Sequence, residues 1–167
     1  LLLRALSALG ARVDAVVPHR LTDGYGVSRG AVERAAADGV ELLITADCGS
    51  GSPEEVALAC ELGLQVVVTD HHLPSRDPSV RGRMLADVPE VNPRRHDSEY
   101  PFPDLSGVGV AFKLVEAVAA RCGVPEHAHW RFLDLVALGT VADVSSLQGE
   151  NRFLVRRGLD LVGRSPK

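Results

Sequence analysis

The chain has 167 residues, 46% of them hydrophobic and 4% aromatic, and a formal net charge of -4. This is enough apolar material for one domain with a real core, with no overall basic field and no apolar run near the ~18 residues of a membrane span. Three cysteines, Cys48, Cys60 and Cys122, stand at unrelated spacings, which excludes a disulfide framework and a zinc pattern and fits a reducing cytoplasm.

Residues 1–9 read as the tail of a helix closed at Gly10, and Val13 to Val17 as a short strand ended by Pro18. The polar loop from His19 to Gly26 sets a cation, Arg20, near an aromatic ring, Tyr25. That pairing suits a phosphate contact and base stacking, with a solvated turn as the plain alternative. Val32 to Ala37 reads as a helix and Glu41 to Ala46 as the strand before Asp47. Ser52-Pro53-Glu54-Glu55 opens a helix with a Ser cap, Pro in the first turn and acids facing the dipole, and that helix stops at Gly63. Gln65 to Thr69 is the next strand, completing a βαβ unit with a right-handed crossover.

A Pro- and Arg-rich loop follows His72 to about Arg83, and Met84 to Val91 reads as a further strand ended by Asn92-Pro93. Residues 94–106 form a polar and aromatic loop. Val108 to Ala120 is helical, His129 to Ala142 is a largely apolar helix (with Leu135 to Val141 as an alternative strand), and Asn151 to Val162 is the last helix. The pattern predicts one α/β domain over 1–167, doubly wound, with a mostly parallel sheet flanked by helices. The uncapped apolar opening Leu1-Leu2-Leu3 and the close just after a helical pattern point to a piece of a larger protein.

The chemistry concentrates at strand ends. Asp47 ends the run Leu42-Leu43-Ile44, and Asp70-His71-His72 ends the run Val66-Val67-Val68. Open α/β sheets bind ligands in the crevice above the carboxyl ends of their strands. A mixed Asp/His set there suits manganese, with magnesium possible where oxygens dominate. The bland alternative makes Asp70 a turn cap and the histidines surface residues. Asp143, after Leu138-Gly139-Thr140-Val141-Ala142, offers a further carboxylate, and Cys48 beside Asp47 reads as structural rather than nucleophilic. Ser106, Gly107 and Gly109 precede a helix and suit either a phosphate cradle or close packing.

Ala46-Asp47-Cys48-Gly49 and Val68-Thr69-Asp70-His71-His72-Leu73-Pro74 resemble the second and third motifs of the DHH phosphoesterase superfamily. Val91-Asn92-Pro93, Tyr100-Pro101-Phe102 with Leu105 to Lys113, and Leu138 to Val144 with Gly149-Glu150-Asn151-Arg152 are similar to its RecJ-type single-strand exonucleases. The resemblance implies a two-metal phosphodiester hydrolase of DNA repair and recombination. Such an enzyme uses manganese or magnesium, digests single-stranded DNA from its 5′ end, and has a single-strand-binding protein and a helicase as possible partners. It implies metal ligation by Asp47, His71 and Asp143, a phosphate contact from His72, and Asp70 orienting the histidines from behind. The family's first Asp-x-Asp motif does not occur in the chain, so the chain alone is expected to hydrolyse poorly or not at all. A small-nucleotide phosphodiesterase and a non-catalytic nucleotide-binding module are the alternatives.

Overall fold

The computed structural model describes residues 1–18, 24–74 and 87–164, which form two compact units, one of Val16–Glu99 and one of Leu1–Ala15 with Tyr100 onward. Arg20, the Pro- and Arg-rich loop beyond Pro74, and Met84 lie outside the described residues.

The first unit is a parallel sheet flanked by helices. Three short strands, β1 (Leu42–Ile44), β2 (Gln65–Thr69) and β3 (Glu90–Val91), lie in the order β1-β2-β3, with Ile44 opposite Val67 and Thr69 opposite Val91. Helices α2 (Arg29–Ala37) and α3 (Pro53–Glu61) pack beside them. Ser28 caps α2 by accepting the Ala31 N–H, while Pro53 occupies the first turn of α3 with Glu54 and Glu55 behind it, as the sequence implied. Val32, Val56, Ala59, Leu64, Val66 and Val68 form the core between helices and sheet. Alternate residues of β2 enter that core, so its register cannot slip without exposing Val66 and Val68.

Residues 13–17 are not a strand. Val16 and Val17 are exposed, the Asp14 carboxylate accepts the Ala15 N–H, and the segment lies where one compact unit gives way to the other. Among the described residues the run makes no ladder bonds, and its exposed valines bury nothing that would hold it extended.

The second unit is helical: α1 (Leu2–Ala8), α4 (Gly107–Arg121), a 3₁₀ turn (Ala128–Phe132), α5 (Leu133–Ala142) and α6 (Gly149–Val162). The helix expected over His129 to Ala142 starts with this tighter turn, which sends both Phe132 and Leu133 into the core. The strand alternative for Leu135 to Val141 does not occur. No helix among the described residues is long and apolar enough to cross a membrane.

Leu105, Val110, Phe112, Leu133, Val136 and Leu154 form the apolar core of this unit, and two polar features are built into it. Asn151, fully buried, accepts the Ser106 N–H and donates to the carbonyls of Asp104 and Ser146, so one amide pins the loops on either side of it. Glu150 accepts from the Tyr100 hydroxyl at 2.6 Å and pairs with Lys113 at 2.8 Å. Burial pushes the Tyr100 phenol up and the hydrogen bond to Glu150 adds to it. For Lys113, burial acts downward but Glu150 and Glu116 outweigh it, so its ammonium also titrates above its ordinary range. Both folded values are raised, so the stability they contribute is present below the ordinary values of 10.0 and 10.5 and is lost as pH rises through the folded ones. Thermal unfolding should show a melting temperature that falls above pH ~10, and Glu150→Gln should flatten that slope.

Helices α5 and α6 meet at Gly158, where an added Cβ would lie 2.1 Å from the Leu133 carbonyl oxygen and 2.6 Å from the Ala137 Cβ. In a helix interior Ala is ordinarily the better residue by roughly 0.5–1 kcal/mol, but here backbone must move. Gly158→Ala should therefore cost about 2 kcal/mol in chemical unfolding, the opposite sign to its helix propensity.

Candidate metal centre

Backbone pairing carries the ladder past both strand ends. The Asp47 N–H donates to the Thr69 carbonyl and the Asp70 N–H to the Val91 carbonyl, each at 3.0 Å. Thr45 and Thr69 lock the same level: the Thr69 hydroxyl donates to the Thr45 carbonyl, and the Thr45 hydroxyl donates to the Cys48 carbonyl. Gly49 then turns the chain at φ +115°, in a space where a Cβ would meet Thr45 Oγ1 at 2.7 Å and Val68 Cγ1 at 2.9 Å. Asp47 itself sits at φ 63°, a left-handed conformation that costs a non-glycine residue of order 1 kcal/mol and recurs at functional sites.

The result is a cluster. Asp47, His71 and His72 each bring one ligand atom to within 4.8 Å of the others. His71 Nε2 lies 2.9 Å from Asp47 Oδ1, and the two imidazole rings stand 4.7 Å apart. His71 is buried while Asp47 and His72 are exposed, so the cluster has one open side. A carboxylate oxygen and a buried imidazole nitrogen on strand-end loops, with a second imidazole beside them, make a mixed oxygen and nitrogen site of the kind that borderline divalent ions take.

Asp70 stands behind the cluster, 2% exposed. Its Oδ1 accepts the N–H groups of His71 and His72 and faces His72 Nδ1 at 2.7 Å, while Oδ2 accepts the Ser50 N–H at 3.0 Å. Burial pushes this carboxyl up, but the His72 ring bond and the backbone donors of His72, Ser50 and His71 outweigh it and hold it below the usual carboxylate range. An ionised Asp70 only accepts, so His72 Nδ1 donates to it and the ring's other nitrogen, Nε2, faces away from Asp70. The Tyr25 hydroxyl meets that nitrogen at 2.8 Å, its ring edge-on to the imidazole. Burial and the Asp70 charge push the Cys48 thiol up, which suits a structural cysteine rather than a thiolate nucleophile.

The other predicted residues belong to the helical unit. Asp143 closes the C-terminal end of α5, accepts from the Ser145 hydroxyl, and precedes Val144 at φ 56°. A carboxylate at a helix C-terminus opposes the dipole, and a β-branched residue in the left-handed region is strained, so two unfavourable choices stand side by side. Ser106 caps α4 through Gly109 N, its hydroxyl paired with Thr140 and its side chain fully buried. A Cβ on Gly109 would meet Leu105 at 2.7 Å, so packing alone accounts for that glycine. From the sequence alone Ser50 has no role beyond its small size after Asp47, and Asn92 none beyond ending a strand in the Val91-Asn92-Pro93 resemblance. Asn92 was nevertheless accessible to the same logic, being the polar residue that ends the third strand as Asp47 and Asp70 follow the first two.

The family model described as DHH family, N-terminal domain, matches residues 1–140. The chain is 42% identical over 168 residues to the single-stranded-DNA-specific exonuclease RecJ of Dickeya dadantii, covering 95% of the chain and 28% of that protein. It is 39% identical to the proteins of the same name from Bacillus subtilis and Thermus thermophilus, covering 98% and 99% of the chain but 19% and 23% of theirs. The crystal structure of exonuclease RecJ bound to manganese superposes with a TM-score of 0.77 at 39% identity, over 95% of this chain and 38% of that one. The chain thus spans under a third of the length of these curated relatives.

Stripping Asp70 of its charge should unsettle the whole cluster. Asp70→Asn replaces an acceptor with an N–H₂ opposite buried donors, at a cost of about 3 kcal/mol at neutral pH. Because the folded value is depressed, the stability Asp70 contributes is present above its ordinary 3.8 and is lost as pH falls through the folded value. Urea unfolding should show the gap between wild type and variant narrowing in acid.

Proposed function

The chain belongs to the DHH family, and on that premise we propose that it carries the metal-binding core of a single-stranded-DNA-specific 5′→3′ exonuclease. The observation that carries the proposal is the Asp47–His71–His72 cluster at the carboxyl ends of β1 and β2. It occurs in a chain 39–42% identical to single-stranded-DNA-specific exonucleases.

Asp47 and His71 would hold a divalent ion, and the family resemblance implies Asp143 as a further ligand. Imidazole among the donors favours manganese over magnesium, and a second ion would complete the pair. When bound, such ions polarise a phosphoryl oxygen and lower the pKa of a bound water. His72 serves the scissile phosphate: Asp70 fixes its ring and directs Nε2 to the open side, where the Tyr25 hydroxyl now stands. Tyr25 and Arg20, close in sequence, serve the DNA strand, the ring by stacking and the cation by phosphate contact. Ser106, Gly107 and Gly109 are the weakest members of the substrate set, since capping and packing already employ them. The setting is cytoplasmic DNA repair and recombination, where a single-strand-binding protein and a helicase would supply the strand.

The test is an exonuclease assay on 5′-labelled single-stranded DNA with manganese, run on the protein that carries this chain. Asp47→Ala and His71→Ala should weaken manganese binding and lower activity about 10³-fold or more. His72→Ala should lower turnover comparably while leaving manganese affinity nearly intact. Equal loss of metal in all three variants overturns the separate role of His72, and chelator-resistant digestion overturns the reading.

A further inference from the structure

Asn92 ends the third strand and is 4% exposed. Its side-chain amide has only one orientation the surroundings accept. Oδ1 accepts the Arg94 N–H at 2.9 Å, and Nδ2 donates to the His72 carbonyl at 3.0 Å and to Ser50 Oγ at 3.1 Å. A backbone N–H only donates and a carbonyl only accepts, so the amide cannot be flipped. Ser50 in turn gives its single hydroxyl proton to Glu90 Oε1 at 2.6 Å and must therefore accept from Asn92. The bonds form a directed chain in which no member can rotate without breaking a neighbour's bond.

That chain joins three loops. Ser50 lies on the turn that follows Asp47, His72 adjoins His71, and Asn92 closes β3. Asp70 ties the first two loops together from behind through Ser50 N and the His71 and His72 N–H groups. Asn92 ties them a second time, from the neighbouring strand. One tie leaves a pair of loops free to pivot; two ties on the same pair remove that freedom.

We propose that Asn92 is a positioning residue that sets the separation of Asp47 from the His71–His72 pair, and so prepares the cluster for a divalent cation. The inference rests on the metal reading above and adds to it a residue that touches neither ion nor substrate. Groups that orient metal ligands from behind commonly carry a 10–100-fold share of affinity.

The experiment is a manganese titration of the full chain, followed by the loss of the electron paramagnetic resonance signal of free Mn²⁺, with circular dichroism and thermal unfolding on the same samples. Asn92→Ala and Asn92→Asp should each weaken manganese binding about tenfold or more at temperatures where the protein is folded. Asn92→Asp is the sharper variant. It keeps the acceptor for Arg94 but turns an oxygen on the His72 carbonyl, and its added negative charge would by itself attract the cation. Val32→Ala, which destabilises the apolar core of the same unit from α2 and removes none of these hydrogen bonds, should leave manganese affinity unchanged, separating positioning from general stability. If both Asn92 variants fail to fold, Ser50→Ala, which removes one acceptor of the Asn92 amide and the hydroxyl bond to Glu90, should weaken binding about threefold. Manganese affinity within twofold of wild type in the folded Asn92 variants, or in Ser50→Ala when it stands in for them, overturns the inference and leaves the metal reading standing. A wild-type chain that takes up no manganese overturns both.

Discussion

A single buried carboxylate collects the donors of two loops at the carboxyl edge of the sheet. Asp70 takes hydrogen bonds from Ser50, His71 and His72 backbone and from the His72 ring. Isolated in the interior, such a charge would cost several kcal/mol; surrounded by donors it becomes the fixed point from which the histidines are aimed. The cluster of Asp47, His71 and His72 therefore does not depend on long side chains finding one another. It depends on where the backbone around Asp70 has been put. The neutral amide of Asn92 extends the same arrangement from the next strand without adding charge.

The helical unit uses the same device for a different end. Asn151 satisfies the backbone of two loops from a fully buried position, and Ser106, Thr140 and Gly109 complete a polar seam inside an otherwise apolar bundle. A seam of this kind is stabilising only when every group in it is paired. Close approach of the helices at Gly158 and Gly139 leaves it no room to rearrange, since a Cβ at either would strike a neighbouring helix.

Much of this was legible in the chain. The runs Leu42–Ile44 and Gln65–Thr69 carried their strand character in consecutive β-branched and aliphatic residues, and Pro53 with its acids marked the helix between them. Asp47 and His71 stood out because an ionisable group rarely ends a buried strand without a reason. Val13 to Val17 looked like a strand by the same composition and is not one, because composition does not say whether another strand will pair with it. Asn92 could be singled out as the polar residue after the third strand, but its partners, like those of Ser50, were illegible for another reason. A neutral amide or hydroxyl has no preferred partner until the loops around it are placed, and the direction of its hydrogen bonds is a property of three dimensions.

The strands are short, with three, five and two residues, so the ladder itself contributes few backbone bonds. The bonds gathered around Asp70 and Asn92 make up part of that shortfall. The loops bearing the site are thus held by buried acceptors as strand residues are held by their neighbours, and local opening there must break a charge-centred network. Their amide protons, on His71, His72 and Ser50, should accordingly exchange with solvent on the slow timescale of the sheet, although by backbone geometry they belong to turns.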